Sequence, residues 1–147
     1  MGEAAAVVVS VVTSRNVFST DAAPTTVPLD TVITGNLGGW FNTSTYTFTT
    51  PTTGLYRVMF FLTFSSFATN GTFQAILIKN GTIPLLCGEG SANVVAVNSN
   101  MSFDSIVSLE KYDFLSVQIV TATTGAITIY GNGPPANSTV FTVVSIS

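Results

Sequence analysis

The sequence predicts a single all-β domain, either a sandwich or a barrel, and three observations support this prediction. Apolar and polar residues alternate with the period of two that strands show. Turn-forming residues recur about every 8–12 positions, a spacing typical of sandwiches and barrels. No segment has the periodicity of an amphipathic helix. At 147 residues the chain fits one domain and is long enough to bury a core without disulfides or a metal.

The predicted strands alternate with turns rich in glycine, proline and asparagine. In chain order, the predicted strands are Val7–Val12, Trp40–Thr49, Leu55–Phe64, Thr72–Lys79, Thr82–Leu86, Asn93–Val97, Ser102–Leu109, Phe114–Val120, Ala126–Tyr130 and Ser138–Ile146. Breaks fall at the two prolines of 23–28, the glycines of 35–39 and the Gly-Pro segment 131–135. Asn80-Gly81 supplies the positive φ angles of a type I′ turn, which indicates a hairpin around it.

The strand Leu55–Phe64 is apolar on both faces. One face carries Tyr56, Val58, Phe60, Leu62 and Phe64, and the other carries Leu55, Met59 and Phe61 around Arg57. Because each sheet of a lone two-sheet sandwich has only one inner face, the second face needs another cover, and a neighbouring subunit is the simplest. We therefore predict Leu55, Met59 and Phe61 as subunit-interface residues, since interfaces are enriched in Met and aromatic residues. The alternative is that Met59 and Phe61 belong to the protomer core.

Charge is scarce throughout the chain. Charged residues make up 7% of it, against about 25% in an ordinary soluble domain, while the hydrophobic fraction of 46% is close to average. Two interpretations remain open: part of the surface is buried between subunits, where charge is depleted, or the protein lies outside the cell with a neutral, hydroxyl-rich exterior. The net charge of −3 and four scattered basic residues leave no patch for phosphates, so we expect no nucleic-acid partner.

The two ends of the chain set the expected domain boundaries. We expect residues 1–6 to form an N-terminal tail or boundary segment and residues 7–147 to form the single domain. The first residues lack the basic region and leucine-rich core of a signal peptide. No apolar run reaches the roughly 18 residues that a membrane-spanning helix needs, so we expect no membrane insertion.

The residues offer little catalytic chemistry. Histidine is absent, so the commonest acid–base residue and metal ligand is missing, and the single cysteine, Cys87, has no histidine to activate it. Glu110 and Asp113 are close in sequence but flank a turn. We expect the Asp113 carboxylate to accept hydrogen bonds from backbone N–H groups there. We predict no enzyme activity, no catalytic residues, no cofactor and no metal site.

Two aromatic residues are candidates for ligand contact. Trp40 follows two glycines and Tyr130 precedes the Gly-Pro segment, so either ring could stack on a sugar if it is exposed. For Trp40 the alternative is packing within the domain.

From Asn36 onward, the spacing of residues resembles the signature of the globular head of complement component one-q. The matching positions, which the resemblance assigns to the structural signature, are Asn36, Phe41, Phe48, Gly54, Tyr56 and Phe60. Asp30 and Val58 stand where that family usually has Phe. The resemblance extends over about Val7 to Ile146.

Three later segments extend the resemblance. Residues 79–81 are similar to the family's hairpin, and Ser138–Phe141 is similar to its final strand. Leu109–Val117, which contains Asp113, resembles the Leu-x-x-Gly-Asp-x-Leu-x-Val turn shared with tumour necrosis factor, with Tyr112 in place of the glycine.

The resemblance implies a ten-stranded jelly-roll β-sandwich assembled as a tight homotrimer, often at the tip of a collagen-like or fibrous stalk. The first and last strands would lie side by side. Relatives bind calcium at the trimer apex, which takes several oxygen ligands, but no acidic cluster supports such a site here. The low charge is more similar to heads on bacterial spores, bacteriophage fibres or large viruses than to animal cytokine heads.

The leading functional hypothesis is a non-enzymatic, trimeric globular head of a surface or fibre protein, located outside the cell or on a virion or spore. It would attach to a cell-surface receptor or glycan through weak contacts multiplied by avidity. One alternative is a purely structural module that trimerises or caps a fibre, virion or spore coat. A cytokine-like signalling ligand is a further alternative.

Overall fold

The computed structural model describes residues 8–12, 17–19, 25–35, 39–66, 71–92, 99–121, 127–129 and 139–146. Within these ranges the chain forms thirteen strand segments and no helix. The strands are β1 Val8–Val12, β2 Val17–Ser19, β3 Thr25–Thr26, β4 Thr31–Gly35, β5 Phe41–Asn42, β6 Thr47–Thr49, β7 Gly54–Ser66, β8 Gly71–Lys79, β9 Ile83–Ala92, β10 Ser99–Leu109, β11 Phe114–Thr121, β12 Ile127–Ile129 and β13 Thr139–Ser145.

The strands form two antiparallel sheets. Sheet one has seven strands in the order β2-β12-β7-β13-β1-β4, with β10 paired to the other edge of β7. Sheet two has six strands in the order β5-β6-β11-β8-β9, with β3 also paired to β11. After β7 the chain passes to sheet two for the β8–β9 hairpin, returns for β10, crosses again for β11 and ends in sheet one. The first and last strands are neighbours, with Val9 opposite Val143. This is a jelly-roll sandwich, which confirms the predicted fold class.

The core lies between the two sheets. Strand alternation directs one side of β7 inward, so that Tyr56, Val58 and Phe60 are at most 1% exposed. The largest fully buried side chains are Tyr56, Phe48, Phe60, Phe141, Leu29, Leu62, Leu77, Leu109, Leu115 and Ile119. Each such side chain contributes about 1.5–3 kcal/mol to folding relative to an exposed one. The buried Tyr56 ring keeps its polar end satisfied, because its hydroxyl donates to the Thr52 carbonyl at 2.6 Å.

The Asn80-Gly81 turn has the geometry that the sequence predicts. Asn80 and Gly81 have φ angles of 55° and 82°, and the Thr82 N–H donates to the Lys79 carbonyl at 3.3 Å. Both residue types tolerate the left-handed region, so the hairpin of β8 and β9 closes without steric conflict.

The single strand predicted over Trp40–Thr49 is wrong. The chain forms two short strands, β5 and β6, separated by a turn in which Tyr46 has a φ of 60°. The Asn42 carboxamide oxygen accepts from the backbone N–H groups of Ser44 and Thr45 at 2.8 and 3.2 Å, and this local bonding competes with an extended strand.

The short strands account for the other differences. The sequence analysis missed β2, β3 and β4, because segments of two to five residues carry little periodic signal. Together with the split of 40–49, they raise the count above the ten strands that the resemblance implies. The strand predicted over Asn93–Val97 lies outside the described residues.

Candidate functional site

The most unusual surface of the protein is the solvent-facing side of sheet one, formed by β7, β10 and β13 and here called the outer face. On β7, side chains alternate between the buried core and this face, where Leu55 is 42% and Phe61 is 39% exposed and Met59 is half-buried. All three predicted interface residues therefore lie on one surface. Its 39% exposure places Phe61 outside the buried core, and the interface role of the three residues stays a prediction.

The neighbouring strands continue this apolar surface. On β10, Ile106 lies opposite Arg57 and is 57% exposed. On the other side of β7, Val140 and Thr142 of β13 lie opposite Phe61 and Met59. The outer face thus places several exposed apolar side chains side by side, and contiguous apolar patches of this kind mark interaction sites.

A shallow depression lies within the outer face. Its volume is about 210 Å³, and its lining combines side chains of β7, β10 and β13. The lining residues are Met59, Phe60, Phe61, Ser102, Phe103, Asp104, Val140 and Thr142. The lining of the depression is therefore mostly apolar, with hydroxyl groups and one carboxylate among its groups.

One ion pair lies among these apolar residues. The Arg57 Nε donates to Asp104 Oδ1 at 2.9 Å, and Nη2 donates to Oδ2 at 2.7 Å, so the contact is bidentate. The hydrogen bonds from the guanidinium lower the pKa of Asp104 from its ordinary value, and the same contact raises the pKa of Arg57. The side chains are 52% and 47% exposed, so in a single protomer the pair remains in contact with water.

A second distinct region is a set of three connections at one end of the sandwich, here called the loop platform. It consists of residues 50–53, 80–82 and 110–113. The Asp113 carboxylate accepts from the Asn80 side-chain amide at 3.0 Å and from the Glu110 backbone N–H at 2.9 Å. These hydrogen bonds, the one from Asn80 first, lower the pKa of Asp113. The Asn80 oxygen in turn accepts from the Phe114 N–H at 3.0 Å.

The remaining connection is tied in through its backbone. Tyr112 N–H donates to the Thr50 carbonyl, and Thr50 N–H donates to the Asp113 carbonyl, both at 2.8 Å. The Lys111 N–H donates to the Thr53 hydroxyl at 2.9 Å. Because each connection is bonded to another, the loop platform is a pre-organised surface.

Tyr112 is the most exposed large hydrophobic side chain that the structure describes on the loop platform. Its φ is 75°, it is 71% exposed, and the Lys111 Nζ lies 5.0 Å from its ring centroid. The sequence analysis did not propose it for ligand contact. The signal was present, however, since this bulky residue occupies the position at which the resembled motif has glycine.

The structure describes one of the two proposed ligand-contact residues. Trp40 is partly buried and packs against the core, so its alternative interpretation as a packing residue applies. Tyr130 lies outside the described residues, as does Asn36 of the signature. Four of the other signature residues are buried in the core, namely Phe41, Phe48, Tyr56 and Phe60. Gly54 begins β7, and Asp113 lies in the loop platform.

The described part of the chain offers no evident site for metal chemistry. It contains no group of three or more His, Cys, Asp or Glu side chains positioned to hold a metal ion. In the same ranges, none of the secondary structure is a helix with the length and apolarity needed to cross a membrane.

Comparison with known proteins identifies the fold through structure alone. No family model matches the chain, and no curated protein matches it in sequence. Among solved structures, the Eiger TNF of S. frugiperda superposes with a TM-score of 0.69 at 12% identity, covering 97% of this chain and 93% of that one. The globular domain of the zebrafish complement 1qA protein gives 0.65 at 18% identity, covering 95% and 96%.

Murine APRIL is a third similar structure, with a TM-score of 0.66 at 14% identity and coverage of 96% of this chain and 99% of that one. The likeness spans nearly the whole of this chain and of each of these three structures. Together with the strand order and the two-sheet architecture, it shows that this chain has a jelly-roll fold like that of the complement 1q and tumour necrosis factor structures.

Proposed function

We propose that the protein is a non-enzymatic globular head that assembles as a homotrimer through its outer face and attaches a larger surface or fibre protein to a receptor or glycan. The observation that carries the proposal is the exposed apolar surface formed by Leu55, Met59, Phe61 and Ile106. The proposed location is outside the cell or on the surface of a virion or spore, because a neutral surface rich in hydroxyl groups fits such a location.

The choice of a second copy as the cover rests on the chemistry of the outer face. Its described residues combine exposed apolar groups, hydroxyls and a balanced ion pair, so two copies can meet without bringing net charge into the contact. The shallow depression offers a recess for protruding side chains of a neighbour. Around a threefold axis the outer faces of three copies converge, and non-identical parts of this face meet between neighbours, so that the ring closes.

Attachment would use loops displayed three times per assembly. Each contact of such a head is weak on its own, and simultaneous engagement multiplies the affinity. Among the described loops, the loop platform supplies a rigid display with the exposed Tyr112 and Lys111 on it. Aromatic rings beside cationic and amide groups are suited to hydroxyl-rich or anionic ligands.

The assembly part is tested by measuring the mass in solution. Multi-angle light scattering over a dilution series should give three times the mass of one chain at micromolar concentration. Phe61→Ser should shift the mass to that of one chain, whereas Thr45→Ala in the exposed turn between β5 and β6 should leave it unchanged. A wild-type mass equal to one chain at every concentration would contradict the proposal.

The attachment part is tested by a glycan array and a cell-binding assay with the assembled head. Binding should be strong for the trimer and weak for the Phe61→Ser protomer, because avidity is lost. Assembly without any binding would favour the purely structural role.

A further inference from the structure

The Arg57–Asp104 pair is the only charge that the outer face carries in its described part. On β7, β10 and β13, the other residues of this face whose side chains the structure describes are apolar or bear a hydroxyl. The pair joins the central strand to an edge strand, 47 residues apart in sequence. Its position beside exposed Ile106 and Leu55 places two charges in the middle of a surface suited to being covered.

The Arg57–Asp104 pair contributes little to the stability of the folded protomer. Both side chains are about half exposed, and an exposed ion pair adds little to folding because water screens it. The core residues beneath it, Val58 and Phe103, are already buried by the sandwich. A different role is therefore needed to explain a bidentate pair at this place.

Covering the outer face changes the electrostatics. A charge removed from water must keep its partner and its hydrogen bonds, or the loss of hydration dominates. Arg57 and Asp104 supply each other with an opposite charge within one chain, so a partner need not bring one. The guanidinium has five N–H donors and uses two here, which leaves three for acceptors on the partner.

We propose that the Arg57–Asp104 pair determines the specificity of the outer face by favouring another copy of this chain over other apolar partners, an inference that rests on the proposed trimer. A second copy brings hydroxyl acceptors such as Ser102, Ser108 and Thr142 and no net charge. A purely apolar partner leaves the remaining guanidinium donors unsatisfied, and a charged partner opposes one member of the pair.

The experiment compares four proteins with the wild type: Arg57→Met, Asp104→Leu, the double variant, and Lys111→Met as a control that removes a charge from the loop platform. The dissociation constant of the trimer is measured by sedimentation over a dilution series. Each single variant should weaken assembly by about 100-fold or more, because an uncompensated charge is covered. The double variant should assemble at least as tightly as the wild type, and Lys111→Met should not differ from it.

The specificity of the outer face for copies of this chain is measured on the same samples. The double variant should form heterogeneous species larger than the trimer and should capture unrelated apolar-faced proteins, whereas the wild type should remain a uniform trimer. Thermal unfolding of each variant, measured at a concentration where it is monomeric, should show that the protomer still folds.

The outcomes separate the two proposals. Single variants that assemble like the wild type, or a double variant that forms only a uniform and selective trimer, would overturn the role of the pair while leaving the trimer in place. A wild type that remains a single chain would overturn the trimer itself.

Discussion

The two faces of β7 show how one alternating strand serves two different demands. The inner side chains Tyr56, Val58 and Phe60 are at most 1% exposed, and the adjacent outer residues Leu55 and Phe61 are about 40% exposed. Both sets are apolar, so composition does not separate them. The difference is the cover: sheet two lies over the inner face, and no part of the described protomer fully covers the outer one. The inner face thus determines folding, and the outer face is free to determine association.

The largest effect should come from truncating one of two adjacent phenylalanines that lie on opposite faces of β7. Phe60→Ala removes a buried ring that stacks on Phe103 at a centroid distance of 5.3 Å, so the free energy of unfolding should fall by about 3–5 kcal/mol. Phe61→Ala removes a partly exposed ring and should weaken mainly assembly. Chemical denaturation at several protein concentrations distinguishes them, because only stability that arises from association depends on concentration.

The result for Phe61→Ala is the decisive one. A loss of stability that is the same at every concentration would mean that the ring supports the protomer core. Phe60→Ala, by contrast, should destabilise the protein equally at all concentrations.

Asp113 tests the loop platform, where polar bonds rather than apolar burial hold the structure. Asp113→Ala removes two hydrogen bonds to a carboxylate and should lower the free energy of unfolding by about 1–2 kcal/mol near neutral pH. Glu110→Gln is the control, because the hydrogen bonds of residue 110 with Asp113 use its backbone N–H and carbonyl, which this substitution leaves in place.

The pH dependence of this effect has a defined sign. Asp113 has a folded-state pKa below its unfolded value of about 3.9, so its contribution is fully present above that value and is lost as the pH falls through the folded pKa. The difference in stability between the wild type and Asp113→Ala should therefore shrink on acidification below about pH 4. A difference that stayed constant down to pH 2 would contradict the assigned role of the carboxylate.

The sequence predicts best those features that depend on local patterns. The two apolar sides of Leu55–Phe64 follow from alternation, and the β8–β9 hairpin follows from Asn80-Gly81, because the needed φ angles are a property of these two residues. The resemblance identified the jelly roll because four of its signature residues are core positions, where packing limits the choice of side chain; they are Phe41, Phe48, Tyr56 and Phe60.

Features that depend on register or on local competition were not predictable. Arg57 and Asp104 come together only because β10 pairs with β7 in one register, which places Asp104 opposite Met59. The break within 40–49 arises because the Asn42 side chain accepts hydrogen bonds from the backbone of its own turn. The alternation of apolar and polar residues does not indicate such hydrogen bonds. Exposure of Tyr112 depends in turn on the bonds that hold the loop platform.

Gly81 provides a smaller and cleaner test of the hairpin prediction. Its φ is 82°, and a Cβ added there would meet no atom within 4 Å. The cost of Gly81→Ala is therefore conformational, and we expect about 1 kcal/mol of lost stability with no change in assembly. Thermal and chemical denaturation measure it. A neutral effect would mean that the turn relaxes to another geometry.

The smallest effect should be found at Tyr112, where the change is expected to stabilise. Tyr112→Gly relieves the cost of a bulky residue at positive φ, about 1–2 kcal/mol, and loses the contact of Lys111 with the ring, about 0.5–1 kcal/mol. We expect a net gain of about 0.5 kcal/mol in the free energy of unfolding, with assembly unchanged. Lys111→Met separates the two contributions, since it removes the cation and leaves the backbone angle in place.

Such a gain would mean that the ring is held at the expense of folding stability, as residues retained for recognition often are. Receptor or glycan binding by the trimer should then fall in Tyr112→Gly even though the protein is more stable. Lost stability in the variant would instead assign Tyr112 to the fold, and unchanged binding would direct the search for the contact surface to other loops.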